Sequence, residues 1–96
     1  MNDVDIVDIY EKSNNDLVVE TGRRFRDYRR ALRLTQREVC AQSGISMMTL
    51  NRFEGGKGGS ISFQNLVALF RAIQRLEDIA GLLPEIPESL YGGRIK

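Results

Sequence analysis

The sequence predicts an all-α protein, a compact bundle of about five short helices around one modest core. Three observations predict it. Apolar residues recur at three- and four-residue spacing along most of the 96-residue chain. Candidate helix starts carry Ser or Thr where a side-chain cap is needed. Glycines and prolines then punctuate the pattern at short intervals.

Residues 3–12 fit a short helix with Val4, Ile6 and Ile9 on one side, or a short strand; helix is the expectation. Ser13-Asn14-Asn15 is a turn and cap cluster. A first long helix is expected from Asp16 to Arg33, with Val18, Gly22, Phe25, Arg29 and Leu32 as its inner stripe. Thr35 and Glu38 form a capping box for the next helix, each side chain satisfying an orphan backbone N–H. Val39, Cys40 and Ser43 face inward, and Gly44 can end that helix in the left-handed conformation. Ser46 caps a helix carrying Leu50 and Phe53. Gly55, Gly56, Gly58 and Gly59 surround Lys57 in a loop. Ser62 caps a further helix whose apolar side is expected to hold Phe63, Leu66, Leu69, Phe70 and Ile73. A last helix spans about Leu76 to Leu83, and 84–96 reads as a loose tail. The domain reading is an acidic extension at 1–14, a helical domain at 15–83 and the tail at 84–96.

Composition narrows the function. The longest apolar runs are far below the roughly twenty residues that span a bilayer. Residues 1–3 are not the basic start of a secretion signal, so a cytoplasmic protein without a membrane partner is expected. One cysteine and no histidine exclude an intrachain disulfide and argue against a metal site. The net charge of +1 hides an asymmetry. Residues 1–20 carry six acids and one base, whereas residues 21–64 carry nine bases and three acids. A basic middle suits a polyanion, although a solvated helix face has the same signature.

Two short helices joined by a glycine-containing turn, Gln36 to Glu54, make a helix-turn-helix, whose second helix can enter the major groove of DNA. Cys40 is read as a small core residue that lets the helices approach; nothing nearby supplies a general base. With Leu50 and Phe53 inward, a 100° step turns Met48, Asn51 and Arg52 outward and leaves Met47 at the edge. These four are the candidate base-contacting residues. Arg52 can donate twice to guanine, and the methionines can pack on thymine methyls. Arg29 lies in an apolar stripe and needs a partner.

The run Thr-Gln-Arg-Glu-Val-Cys-Ala-Gln-Ser-Gly-Ile-Ser from Thr35, followed by Leu50, Phe53, Glu54 and Gly56, resembles the phage-repressor and Cro-type helix-turn-helix family, often called the XRE family. The resemblance covers about residues 22–83. It implies a lambda-repressor-like five-helix bundle that binds double-stranded operator DNA, usually as a two-fold homodimer. It implies that Gln36 contacts a phosphate and buttresses the start of the reading helix, and that Arg29 pairs with Glu54. Ser46, Thr49, Lys57, Arg37 and Gln64 are further phosphate candidates, as is Arg33, although Arg33 and Arg37 equally fit a solvated face. Polar side chains are common in the family where this chain has Met47 and Met48.

The leading expectation is a transcriptional regulator, a repressor-type homodimer on an inverted repeat, with Ile79, Leu82, Leu83, Ile86 and Leu90 as an apolar C-terminal set. The alternative is an antitoxin that binds a HipA-like kinase toxin and represses its own operon, because 58–63 and the Leu-Leu-Pro-Glu at 82–85 are similar to HipB-like antitoxins. An enzyme is not expected: there is no histidine, and the glycine loop lacks a phosphate-cradling pattern. No cofactor is expected.

Overall fold

The computed structural model describes residues 9–57 and 61–88. It is all-helical there, without a strand. The helices are α1 (Asn14–Ala31), α2 (Gln36–Ser43), α3 (Met47–Glu54), α4 (Phe63–Ala72) and α5 (Leu76–Ala80). Residues 9–11 are also helical, while the rest of the expected first helix, 3–8, lies outside the described residues, as do Gly58, Gly59 and the tail 89–96.

Local chemistry starts four helices. Ser13 and Thr35 each accept a hydrogen bond from the backbone N–H three residues on, and the Asp16 and Glu38 carboxylates accept one from the cap N–H. Ser46 and Ser62 accept from the backbone N–H groups of Thr49 and Asn65. Gly44 ends α2 at φ 76°. Three other helices close by bonding the N–H beyond the cap to the carbonyl five residues back: Leu34 to Arg29, Lys57 to Arg52 and Arg75 to Phe70. That closure needs a left-handed residue, and only Gly56 supplies it as glycine; Arg33 and Gln74 adopt it at φ 60° and 62°.

This closure corrects the expected boundaries. α1 stops at Ala31 rather than Arg33, because Arg33 turns the chain left-handed. Leu32 is consequently 44% exposed, and Leu34 packs against the core instead. Phe63 is 60% exposed in the first turn of α4, beyond the edge of the core that Leu66, Leu69, Phe70 and Ile73 reach. The last helix ends at Ala80, leaving Leu82 and Leu83 exposed.

Phe25, Val39, Leu50, Phe53, Leu69 and Ile73 form the core. Phe25 sits between Phe53 and Phe70, with ring centroids 5.6 and 5.9 Å away in tilted arrangements. α1 packs on α3, α2 on both α3 and α4, and α4 on α5. Arg75 holds Asp78 through two N–H groups and lies 5.0 Å from the Tyr28 ring centre, tying the start of α5 to α1.

Gly22 sets the approach of α1 to α3. A Cβ there would lie 1.9 Å from the Phe53 carbonyl oxygen. Backbone cannot yield as a flexible side chain can, so Gly22→Ala must separate the two helices. Gly22→Ala is expected to cost about 1–3 kcal/mol or more, the range for overpacking, measured by urea unfolding. A wild-type midpoint would show that the helices do not approach this closely.

Candidate nucleic-acid interface

α3 is an amphipathic helix with one side sealed. Leu50 and Phe53 are buried in the core, and Glu54 is 5% exposed. Met48 is 69% exposed, Met47 43%, and Asn51 and Arg52 are exposed. The turn before it is held by Gly44, and Ser43 Oγ accepts the N–H of Ile45 at 3.2 Å.

The structure brings Arg29 and Glu54 together. Arg29 Nε donates to Glu54 Oε2 at 2.7 Å, and Nη2 donates to Oε1 at 2.8 Å. Nη1 donates to the Leu34 carbonyl at 2.9 Å. This two-pronged pair holds the last residue of α3 against α1. The hydrogen bonding to Glu54 raises the Arg29 pKa against the opposing effect of burial, so the guanidinium stays charged.

Gln36 adds a third donor. Its Nε2 donates to Glu54 Oε1 at 3.0 Å and to Asn51 Oδ1 at 3.3 Å. The resemblance implies a buttress at the start of the reading helix. In the structure Gln36 is instead attached to its second half, because Asn51 and Glu54 sit beside the N-terminal turn of α2. Asn51 is thereby oriented through its amide oxygen, while its Nδ2 donates to no group among the described residues.

The two methionines differ. Cys40 Sγ lies 3.5 Å from Met47 Sδ, so Met47 packs back on α2 while Met48 stands out. Burial, and then the charge of Glu54, push the Cys40 thiol pKa up, which disfavours the thiolate nucleophile. Ser46 Oγ caps α3 and donates to Thr49 Oγ1 at 3.0 Å, so its hydrogen is used within the helix start. Arg37 on α2, Lys57 after α3 and Gln64 in the first turn of α4 are exposed. They make no side-chain hydrogen bond among the described residues.

A groove of about 700 Å³ runs beside this network, lined by Arg26, Arg30, Arg33, Gln36 and Asn51 with Arg29 and Glu54 at its base. Of these, Arg26 and Arg30 were missed as site residues in the sequence. The signal was there in their spacing, four apart on one helix face, but it equally fits a solvated stripe. Among the described residues there is no cluster of three or more His, Cys, Asp or Glu suited to a metal ion, and no helix long and apolar enough to cross a membrane.

A sealed helix docked after a glycine turn, with Met47, Met48, Asn51 and Arg52 on its outer side, defines a helix-turn-helix protein of the DNA-binding class. Residues 20–80 match the family model of the helix-turn-helix domain, and the chain belongs to that family. No curated protein and no solved structure matches it.

One measurement checks the anchor and a second the packing of Cys40. Arg29→Met leaves the buried Glu54 carboxylate with only the Gln36 amide as donor, and breaking a buried pair in this way is expected to cost about 3–5 kcal/mol; unchanged thermal unfolding would show that the pair does not hold α3. Cys40 should react with iodoacetamide at pH 8 much more slowly in the folded protein than in 6 M guanidinium, and equal rates would contradict its packing against Met47.

Proposed function

We propose that this protein is a sequence-specific double-stranded-DNA-binding transcriptional regulator of the XRE type, acting in the cytoplasm as a homodimer on an inverted repeat. The observation that carries this is α3 itself: it is clamped on its inner side by Arg29, Glu54 and Gln36, and four neighbouring side chains are turned outward. A rigid helix with a free outer face suits major-groove readout. In this reading Arg52 and Asn51 hydrogen-bond base edges, and Met48, with Met47 beside it, packs on thymine methyls. Gln36, Ser46, Thr49, Arg37, Lys57 and Gln64 contact phosphates; Ser46 does so through its backbone N–H while its hydroxyl remains the α3 cap, and Gln36 while bonded to Asn51.

Residues 15–83 act as the binding unit. The exposed Leu82, Leu83 and Ile86 supply apolar surface for a second copy. A two-fold pair would set its reading helices about 34–36 Å apart, one helical turn of DNA. The same surface, with the acidic N-terminal segment, favours the second reading, an antitoxin bound to a kinase-like toxin. Co-purification with the product of a neighbouring gene separates the two.

Selection from random duplex DNA should enrich an inverted repeat, and recovery of no common sequence would overturn the specific reading. Arg52→Ala is expected to lose about 1–3 kcal/mol at one base pair of that site and to relax the preference there. An Arg52→Ala protein with the wild-type selected sequence would remove Arg52 from the reading set. Sedimentation of the complex should give two chains per duplex.

A further inference from the structure

The groove beside α3 contains more positive charge than the fold uses. Arg29 spends its donors on Glu54 and the Leu34 carbonyl, and Glu54 is neutralised by that pair. Arg26, Arg30 and Arg33 line the same groove and pair with no carboxylate among the described residues. Three guanidinium groups around one concavity repel each other unless an anion joins them.

A further observation points the same way. The Nε–H of Arg26 is shut off from solvent with no acceptor. A stranded donor is costly, so an oxyanion entering the groove gains by drawing this side chain round to present its Nε and Nη2 edge. Arg33 occupies a left-handed backbone position at φ 60°, where glycine would be unstrained. The closure of α1 requires that conformation, as the closure of α4 does at Gln74, and its effect here is to place the Arg33 guanidinium at the groove. Helix polarity accounts for part of the arrangement, since Arg30 and Arg33 lie at the C-terminal end of α1, but it does not explain Arg26.

We propose that this groove is a binding site for a phosphate group, with Arg26, Arg30 and Arg33 as its ligands, and that a phosphodiester of the duplex read by α3 fills it. The assignment of the duplex as source rests on the DNA-binding reading above. Asn51 joins the two surfaces: it lines the groove and belongs to the outward side of α3. A duplex seated on α3 therefore brings the strand bordering its major groove toward these arginines. Backbone contacts of this kind set orientation and salt dependence and carry no sequence information directly.

The test follows arginine side-chain NH resonances in the isotope-labelled full chain, which needs no variant. Adding the selected duplex, or a random duplex at low salt, is expected to shift the Arg26 Nε–H signal, whereas millimolar inorganic phosphate alone shifts it weakly or not at all. A strong shift with inorganic phosphate and no binding of any duplex would retain the site, overturn the duplex as its source and count against the DNA-binding reading. Duplex binding with no shift at Arg26 would overturn the site and leave that reading intact. No response to either ligand would overturn both. In parallel, R26Q/R30Q should lower the slope of log affinity against log salt by about one unit, as expected for one lost phosphate, with the selected sequence unchanged. A wild-type slope in a variant that still melts cooperatively would overturn the assignment.

Discussion

The contact between Gly22 and the Phe53 carbonyl is the constraint on which the rest depends. It lets α1 and α3 approach backbone to backbone. At that separation Phe25 and Phe53 meet in the core, and Arg29 can reach Glu54 with two parallel hydrogen bonds. A wider gap would lengthen both contacts at once. Apolar packing and the ion pair are thus two results of the same close approach.

The ion pair then organises the polar side. Glu54 accepts from Arg29 and Gln36, and Gln36 passes the constraint on to Asn51. A residue on the outer side of α3 is therefore positioned through two others that are themselves fixed. A buried pair contributes little net stability by itself, because desolvation offsets its attraction. Its value here is geometric, since a carboxylate with directed donors admits few orientations of the helix that carries it.

The helix starts were legible in the sequence because capping is local. Ser13, Thr35, Ser46 and Ser62 act on residues three positions away, within reach of a linear pattern. The helix ends were less legible. α1 and α4 end through left-handed Arg33 and Gln74, residue types that do not announce that conformation. The placement of Leu32 failed for the same reason: two residues of extra helix carried it to the wrong side. Phe63 has helical spacing with Leu66, but spacing cannot say where the core stops. At the candidate site, the outward set on α3 follows from Leu50 and Phe53 through helical geometry. The arginine groove does not, because it joins the end of α1 to the flanks of α2 and α3.

By itself the sequence determined the all-helical class, the helix-turn-helix between Gln36 and Glu54, the caps that begin its helices and the basic middle of the chain. These depend on residue types and on separations of a few positions. Only the tertiary structure decided that Gly22 is a contact rather than a gap in the stripe, that Gln36 grips the second half of α3, that Met47 turns back to Cys40, and that three arginines share one concavity. Each of these depends on the distance between helices. That distance is set by packing across the whole core and is written in no single segment.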